Sequence, residues 1–178
     1  MKRLIFTLAF VAISIASFSQ VIPTGKEGFV AYRLYVEDYG LELNKTRVNA
    51  GSGELGRKNE LDAYCYERCL RLMEIFLSDP DAFVKNNDVL VREGHKDWKI
   101  MENAGLNYMF KTPTVEDFNS YNLSPGHYKC RVNPEWEDFG TAAINISFVG
   151  INRDYDPSNP TSRKRMPLKL TISYEAFK

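Results

Sequence analysis

The three cysteines are the residues of this chain best suited to covalent or metal chemistry. Cys65 and Cys69 are four residues apart in a segment with helical periodicity, so their Cβ atoms should lie about 5–6 Å apart, whereas a disulfide requires roughly 3.8 Å. We therefore expect one of them to pair with Cys130 on a strand, leaving one buried thiol. Three free buried thiols, or thiol and copper handling through Cys65 and Cys69, are the alternatives. No resident metal or other cofactor is expected.

Gly51 to Gly56 spell G-S-G-E-L-G, which matches the G-x-G-x-x-G of dinucleotide-binding proteins. That motif binds pyrophosphate where a buried parallel strand delivers the glycine turn to a helix N-terminus. Here the preceding residues, Leu41 to Val48, predict a strand that is too polar to be buried on both faces. The motif therefore predicts a flexible turn and no nucleotide.

Glu135, Glu137 and Asp138 surround Trp136 in the segment P-E-W-E-D-F. Paired carboxylates beside an aromatic ring are typical of enzymes that hydrolyse glycosidic bonds, so a carbohydrate-active hydrolase is an alternative function. A solvated loop held by Trp136 explains the same residues without catalysis. The sequence has no G-x-S-x-G or H-E-x-x-H motif, and we assign no catalytic residue.

One helix and several strands must position these residues. The apolar stripe Leu61, Cys65, Cys69, Leu72 and Phe76 predicts a helix over residues 60–77 that ends before Pro80. Alternating patterns predict strands at residues 29–37, 41–48, 89–92, 106–111, 127–132, 144–149 and 168–175. The prediction is a two-layer α+β domain with the main helix packed on an antiparallel sheet. Its element order alone is similar to that of cystatin-like and NTF2-like folds.

The alternation also predicts a basic, solvated face on this sheet. If Tyr128, Cys130 and Val132 are buried, the residues between them point to the opposite face, because successive strand side chains alternate. The residues predicted on the solvated face are Arg33, His127, Lys129, Arg131 and Lys169, with Thr171 and Ser173 beside them. We expect these basic side chains to bind another macromolecule, a protein or a glycan.

Residues 1–19 have the anatomy of a secretory signal peptide. Lys2 and Arg3 precede an apolar run from Leu4 to Ala16, and small residues precede a cleavage point after Ser19. The run of 13 residues is short of the ~20 needed to span a bilayer, and no later segment is apolar enough. We expect a single mature domain, residues 20–178, that is secreted or periplasmic, from either a bacterium or a eukaryote.

Composition narrows the class of partner. The formal net charge is zero, whereas a nucleic-acid partner would require a clustered basic excess. Asn44, Asn122 and Asn145 each begin an N-x-S/T triplet that could carry a glycan in a eukaryotic secretory pathway. With no catalytic motif, the sequence predicts a non-enzymatic binding domain, a class that includes inhibitors and immunity proteins.

Overall fold

The computed structural model describes residues 19–35, 38–85, 100–109, 119–152 and 155–178. The strands are β1 Ser19–Ile22, β2 Val30–Leu34, β3 Gly56–Arg57, β4 Met101–Met109, β5 Asp138–Ile151 and β6 Arg165–Phe177. They form one sheet in the order β1-β2-β5-β6-β4. Neighbouring strands along this order are antiparallel, and the short β3 pairs in parallel with β5. The predicted strand at residues 89–92 and the predicted signal peptide, apart from Ser19, lie outside the described residues.

Four α-helices and one 3₁₀-helix accompany the sheet in these ranges. They are α1 Tyr39–Asn49, α2 Asn59–Ser78, α3 Pro80–Lys85, the 3₁₀-helix η1 Asn119–Leu123 and α4 Pro125–Arg131. The longest, α2, ends at Ser78, because Pro80 disfavours helical backbone at the residue before it. None of the helices in the described ranges is long and apolar enough to cross a membrane. The prediction of an α+β domain with one main helix on an antiparallel sheet is confirmed.

The main core lies between α2 and one face of the sheet. The predicted stripe of α2, from Leu61 to Phe76, is buried against alternate residues of β5 and β6. The ring of Phe76 meets that of Phe148 edge-on, with 4.9 Å between centroids. Gly140 allows the closest approach, because a Cβ there would lie 2.2 Å from the carbonyl carbon of Leu61.

The opposite face of the sheet is not the solvated surface that the alternation predicted. A second apolar cluster covers part of it, formed by Tyr39, Leu43, Leu55, Phe139, Ala143 and Phe177. Thr171 and Ser173, expected in water, are buried on β6, and so is Glu175. The prediction failed because strand alternation shows which side chains share a face, but not which elements cover that face.

Two segments predicted as strands are helices. Leu41–Val48 belongs to α1, whose buried residues Tyr39, Leu43 and Arg47 follow a spacing of four. The second, residues 127–132, is helical up to Arg131, where α4 ends; α4 begins at Pro125 and carries Lys129 in its last turn. Proline favours the first turn of a helix and lysine favours its last turn. Alternation over six residues was too short a pattern to outweigh these signals.

Candidate functional site

The residues predicted to form one basic surface are separated in the structure. Arg33 lies on the α2 side of the sheet, over the ring of Tyr66. Lys129 is exposed on α4, and Lys169 is half-buried on β6, on the opposite side of the sheet from α2. His127 packs edge-on against Tyr121, with 5.0 Å between ring centroids. The single patch predicted from the sequence is therefore wrong, although its members still include exposed cations.

Arg131 is a buried structural residue and not a surface contact. Its exposed fraction is 0%, and that of Glu175 is 1%. Arg131 Nη2 donates to Glu175 Oε1 at 2.6 Å and Nε donates to the same oxygen at 2.9 Å. Nη1 donates to the Asn122 amide oxygen at 2.6 Å, and Nη2 also contacts the hydroxyl of Tyr39. This network joins α4 to β6, α1 and η1.

Glu175 accepts hydrogen bonds at both of its carboxylate oxygens. The Asn103 amide donates to Oε2 at 2.8 Å, and the Arg131 Nε also approaches this oxygen, at 3.2 Å. Burial raises the pKa of Glu175, while the pairing with Arg131 and the amide donor favour the ionised carboxylate. The geometry is that of a bidentate ion pair, which fixes one orientation of α4 on the sheet.

The glycine motif lies in the turn between α1 and β3 and has a structural use. Gly51 adopts a positive φ of 80° just after α1 ends, where glycine has no Cβ penalty. The carbonyl of Gly53 accepts from Arg47 Nε at 2.6 Å. Arg47 is buried and also donates to the carbonyl of Arg131 at 2.6 Å. The motif follows a helix, not the buried strand that the dinucleotide fingerprint requires.

The predicted disulfide is wrong, because all three cysteines are free. Cys65 and Cys69 are buried between α2 and the sheet, where their thiols contact the carbonyls of Gly140 and Ala142. Cys130 is on α4, packed beside the second apolar cluster on the other face of the sheet. The sheet therefore separates Cys130 from both possible partners. Burial raises the pKa of Cys130 to about 12, so its thiol is a poor nucleophile at neutral pH.

The thiol pair of α2 also lacks the surroundings of a metal site. Burial raises the pKa values of Cys65 and Cys69, which disfavours the thiolate that copper or zinc would bind. Among the residues that the structure describes, no group of three His, Cys, Asp or Glu side chains could hold a metal ion. The two thiols contribute to packing.

The carboxylates near Trp136 line a common cleft of about 420 Å³. Asp138 faces Lys58, with 3.6 Å between Oδ1 and Nζ. Glu135 and Glu137 are exposed to solvent. Glycosidases keep one carboxyl in a desolvated pocket, where it retains the proton that the leaving group needs. The cleft does not provide that environment for Glu135 or Glu137.

The asparagines of the three glycosylation triplets are engaged in the fold. Asn145 is buried on β5 and its amide donates to Thr171, so a glycan there is incompatible with this structure. Asn122 accepts from Arg131. Asn44 both donates to and accepts from the backbone of Leu55, at 3.1 and 2.9 Å. Each amide therefore has a structural use.

Beyond the second apolar cluster, the same face of the sheet carries three exposed valines. Val21, Val30 and Val149 have exposed fractions of 64%, 44% and 54%. Val21 pairs with Tyr32, and Val30 pairs with Ser147, so they share one face because cross-strand partners point the same way. Val149 is two residues beyond Ser147 on β5 and points to that face as well. We call these three residues the valine surface.

The sequence contained a signal for the valine surface that alternation alone did not use. Val149 occupies a position on the predicted polar face of its strand, beside Asn145 and Ser147. An apolar side chain at a polar position is ordinary by itself, and it points to a contact surface only when other apolar side chains are exposed beside it. Val21 and Val30 gave no such signal, because no strand was predicted at Val21 and because Val30 alternates with Arg33, which was predicted on the solvated face.

No protein-family model matches the chain, and no curated protein matches it significantly. Among solved structures, the chain is similar to an outer surface protein from Borrelia burgdorferi, with 13% sequence identity and a TM-score of 0.45. The superposition covers 90% of this chain and 98% of that one. The candidate sites described above therefore rest on the geometry of this chain alone.

Proposed function

We propose that this chain is a non-enzymatic domain that acts outside the cytoplasm and binds another macromolecule through the valine surface. The observation that carries the proposal is the exposure of three neighbouring valines on one sheet face. Isolated apolar residues are normal on protein surfaces, whereas large contiguous apolar patches mark contact sites. The signal-peptide pattern of residues 1–19 supports a location that is secreted or periplasmic.

Burial of these valines would give a useful share of a binding energy. Complete burial of a valine side chain contributes roughly 1.5–3 kcal/mol, and about half of each side chain is still exposed. Each valine therefore offers about 1 kcal/mol and the three together about 3 kcal/mol. That is on the order of a hundredfold in a dissociation constant. The remaining affinity would come from polar residues around the valines.

The charges near the valine surface favour a mixed contact. Lys169 is the cross-strand partner of Ser147, the residue that pairs with Val30. Lys169 thus lies on the same face as the valines and is the member of the predicted basic surface that remains next to them. A partner that covers the valine surface would meet the charged group of Lys169 at its edge, and a polar rim is usual in protein interfaces.

The experiment compares two equally exposed valines. Val149→Lys places a charge on the valine surface, whereas Val48→Lys does the same on α1, where Val48 is 53% exposed. The mature protein and both variants are used as bait on the exported fraction of the native cell, and captured material is quantified by mass spectrometry. We expect capture of one partner to fall about tenfold with Val149→Lys and to be unchanged with Val48→Lys. Equal capture by all three proteins would contradict the proposal.

A further inference from the structure

A second cleft lies on the α2 side of the sheet, away from the valine surface. Its volume is about 430 Å³, within the range of roughly 300–1,000 Å³ that is typical of small-ligand sites. The side chains that matter for binding are Arg33, Tyr35, Arg57, Asn59, Asp62, Tyr66 and Glu67. They come from the end of β2, from β3 and from the first turns of α2.

The cleft exists because two strands leave a gap beside β5. The pairing of β2 with β5 ends at Leu34 and Ala143, and the pairing of β3 with β5 ends at Arg57 and Phe139. Between these points, the backbone N–H of Thr141 donates to Asp62 of α2 at 2.8 Å. A helix therefore closes the gap where a strand would otherwise lie, and leaves a depression at its side.

Arg33 is the group in this cleft with capacity for a ligand. Its guanidinium carbon lies 4.1 Å from the Tyr66 ring centroid and 5.4 Å from that of Tyr35. No carboxylate of the described residues lies within 4.0 Å of its nitrogens, whereas Arg57 bonds Asp62 at 2.9 Å. The N–H donors of a guanidinium lie in its own plane, so stacking on an aromatic ring does not block them. Two of them can donate to the two oxygens of one carboxylate.

The surroundings of Arg33 select the kind of anion. Two arginines and two carboxylates line the cleft, so their formal charges cancel. Asp62 is paired with Arg57, so Glu67 would repel a second negative charge on the ligand, whereas a ligand with one carboxylate needs only Arg33. Glu67 and Asn59 offer acceptors and donors for hydroxyl groups. Tyr35, 47% exposed, offers an aromatic ring for an apolar ring face.

We propose that this cleft binds an acidic sugar, with the sugar carboxylate on Arg33 and its ring beside Tyr35. A sugar acid combines one carboxylate, several hydroxyls and an apolar ring face, which are the three features that the cleft accommodates. This site is independent of the valine surface and of the proposed macromolecular contact.

The test is calorimetric titration of the mature protein with two disaccharides, one containing glucuronate and one containing glucose in its place. The glucuronate form should bind at least tenfold more tightly, because only its carboxylate can form a charge-assisted, hydrogen-bonded pair with Arg33. Arg33→Lys keeps the positive charge but loses the paired donors of the planar guanidinium, and should weaken this binding about tenfold or more. Arg71→Lys, on the exposed side of α2, should leave it unchanged, as should Val149→Lys.

Other outcomes overturn the assignment. Equal affinity for both disaccharides would show that Arg33 does not bind the sugar carboxylate. Tighter binding of inorganic sulfate or of a short glutamate-containing peptide would assign the cleft to another class of anion. No heat and no change in tyrosine fluorescence with the glucuronate disaccharide at millimolar concentration would remove the site. The melting temperature of Arg33→Lys, which should equal that of the parent protein, confirms that the variant is folded.

Discussion

Replacing Glu175 by glutamine should be among the most destabilising isosteric changes in this protein. Glu175 and Arg131 are both buried and their charged atoms are 2.6 Å apart. Glutamine removes the negative charge and leaves the Arg131 cation in the interior without a compensating charge, with only neutral acceptors such as Asn122. Breaking a buried ion pair from one side costs about 3–5 kcal/mol, against a total stability of roughly 5–15 kcal/mol for a domain. Glu175→Gln should therefore remove a large fraction of the free energy of unfolding.

The assay is urea unfolding followed by circular dichroism, with a double-mutant cycle as the control. Arg131→Met combined with Glu175→Leu removes both charges, so we expect this double variant to cost less than the sum of Arg131→Met alone and Glu175→Leu alone. Glu137→Gln, an exposed isosteric change, should alter the free energy of unfolding by less than about 0.5 kcal/mol. If Glu175→Gln costs less than about 1 kcal/mol, or if the double variant shows simple additivity, the ion pair does not fix α4 as described.

Three further predictions follow from the packing and burial of other groups. Gly140→Ala should lower the free energy of unfolding in urea by roughly 3 kcal/mol, because the added Cβ would overlap Leu61. Gly53→Ala is the control and should leave this free energy nearly unchanged, because a Cβ there would have nothing within 4 Å. Equal effects of the two changes would refute the close approach. Without reductant, all three cysteines should react with a maleimide in denaturant. Hardly any should react in the native protein, because Cys65 and Cys69 are buried and burial raises the pKa of Cys130 to about 12. A single adduct in denaturant, detected by mass spectrometry, would indicate a disulfide. Burial lowers the pKa of His127, so the unfolded chain binds a proton at this residue more readily than the folded chain does. His127 should therefore reduce stability as the pH falls through about 6.5, the pKa of an unperturbed histidine. If a His127→Gln variant keeps the same slope of melting temperature against pH, this prediction is wrong.

The long elements could be predicted from the sequence because their patterns are long. The stripe from Leu61 to Phe76 repeats over four turns, and the alternation around Ile144 and Ile172 holds over several residues. Burial on one face dictates such patterns regardless of what lies elsewhere in the chain. By contrast, the seven-residue α4 is too short for a helical stripe to repeat, so Pro125 was the better signal and alternation was misleading.

The candidate site was harder to predict because it depends on contacts between distant segments. Glu175 lies on the face of β6 that alternation predicted to be polar. It is buried because α4, which carries Arg131, packs on that face. Arg33 was recognised as a binding residue, but its neighbour Tyr66 is 33 positions away on α2. Side-chain alternation within a strand contains no information about either contact.

Site-specific photo-crosslinking tests the proposed binding function most directly. A photoreactive phenylalanine analogue is placed at Val149 in one variant and at Val48 in another, and each variant is expressed in its native cell and irradiated there. Because the two side chains are almost equally exposed, 54% and 53%, random collisions should label them alike. We predict a discrete crosslinked species of higher mass from position 149 and none from position 48. The same weak, diffuse labelling from both positions would contradict the claim that the valine surface binds a macromolecular partner.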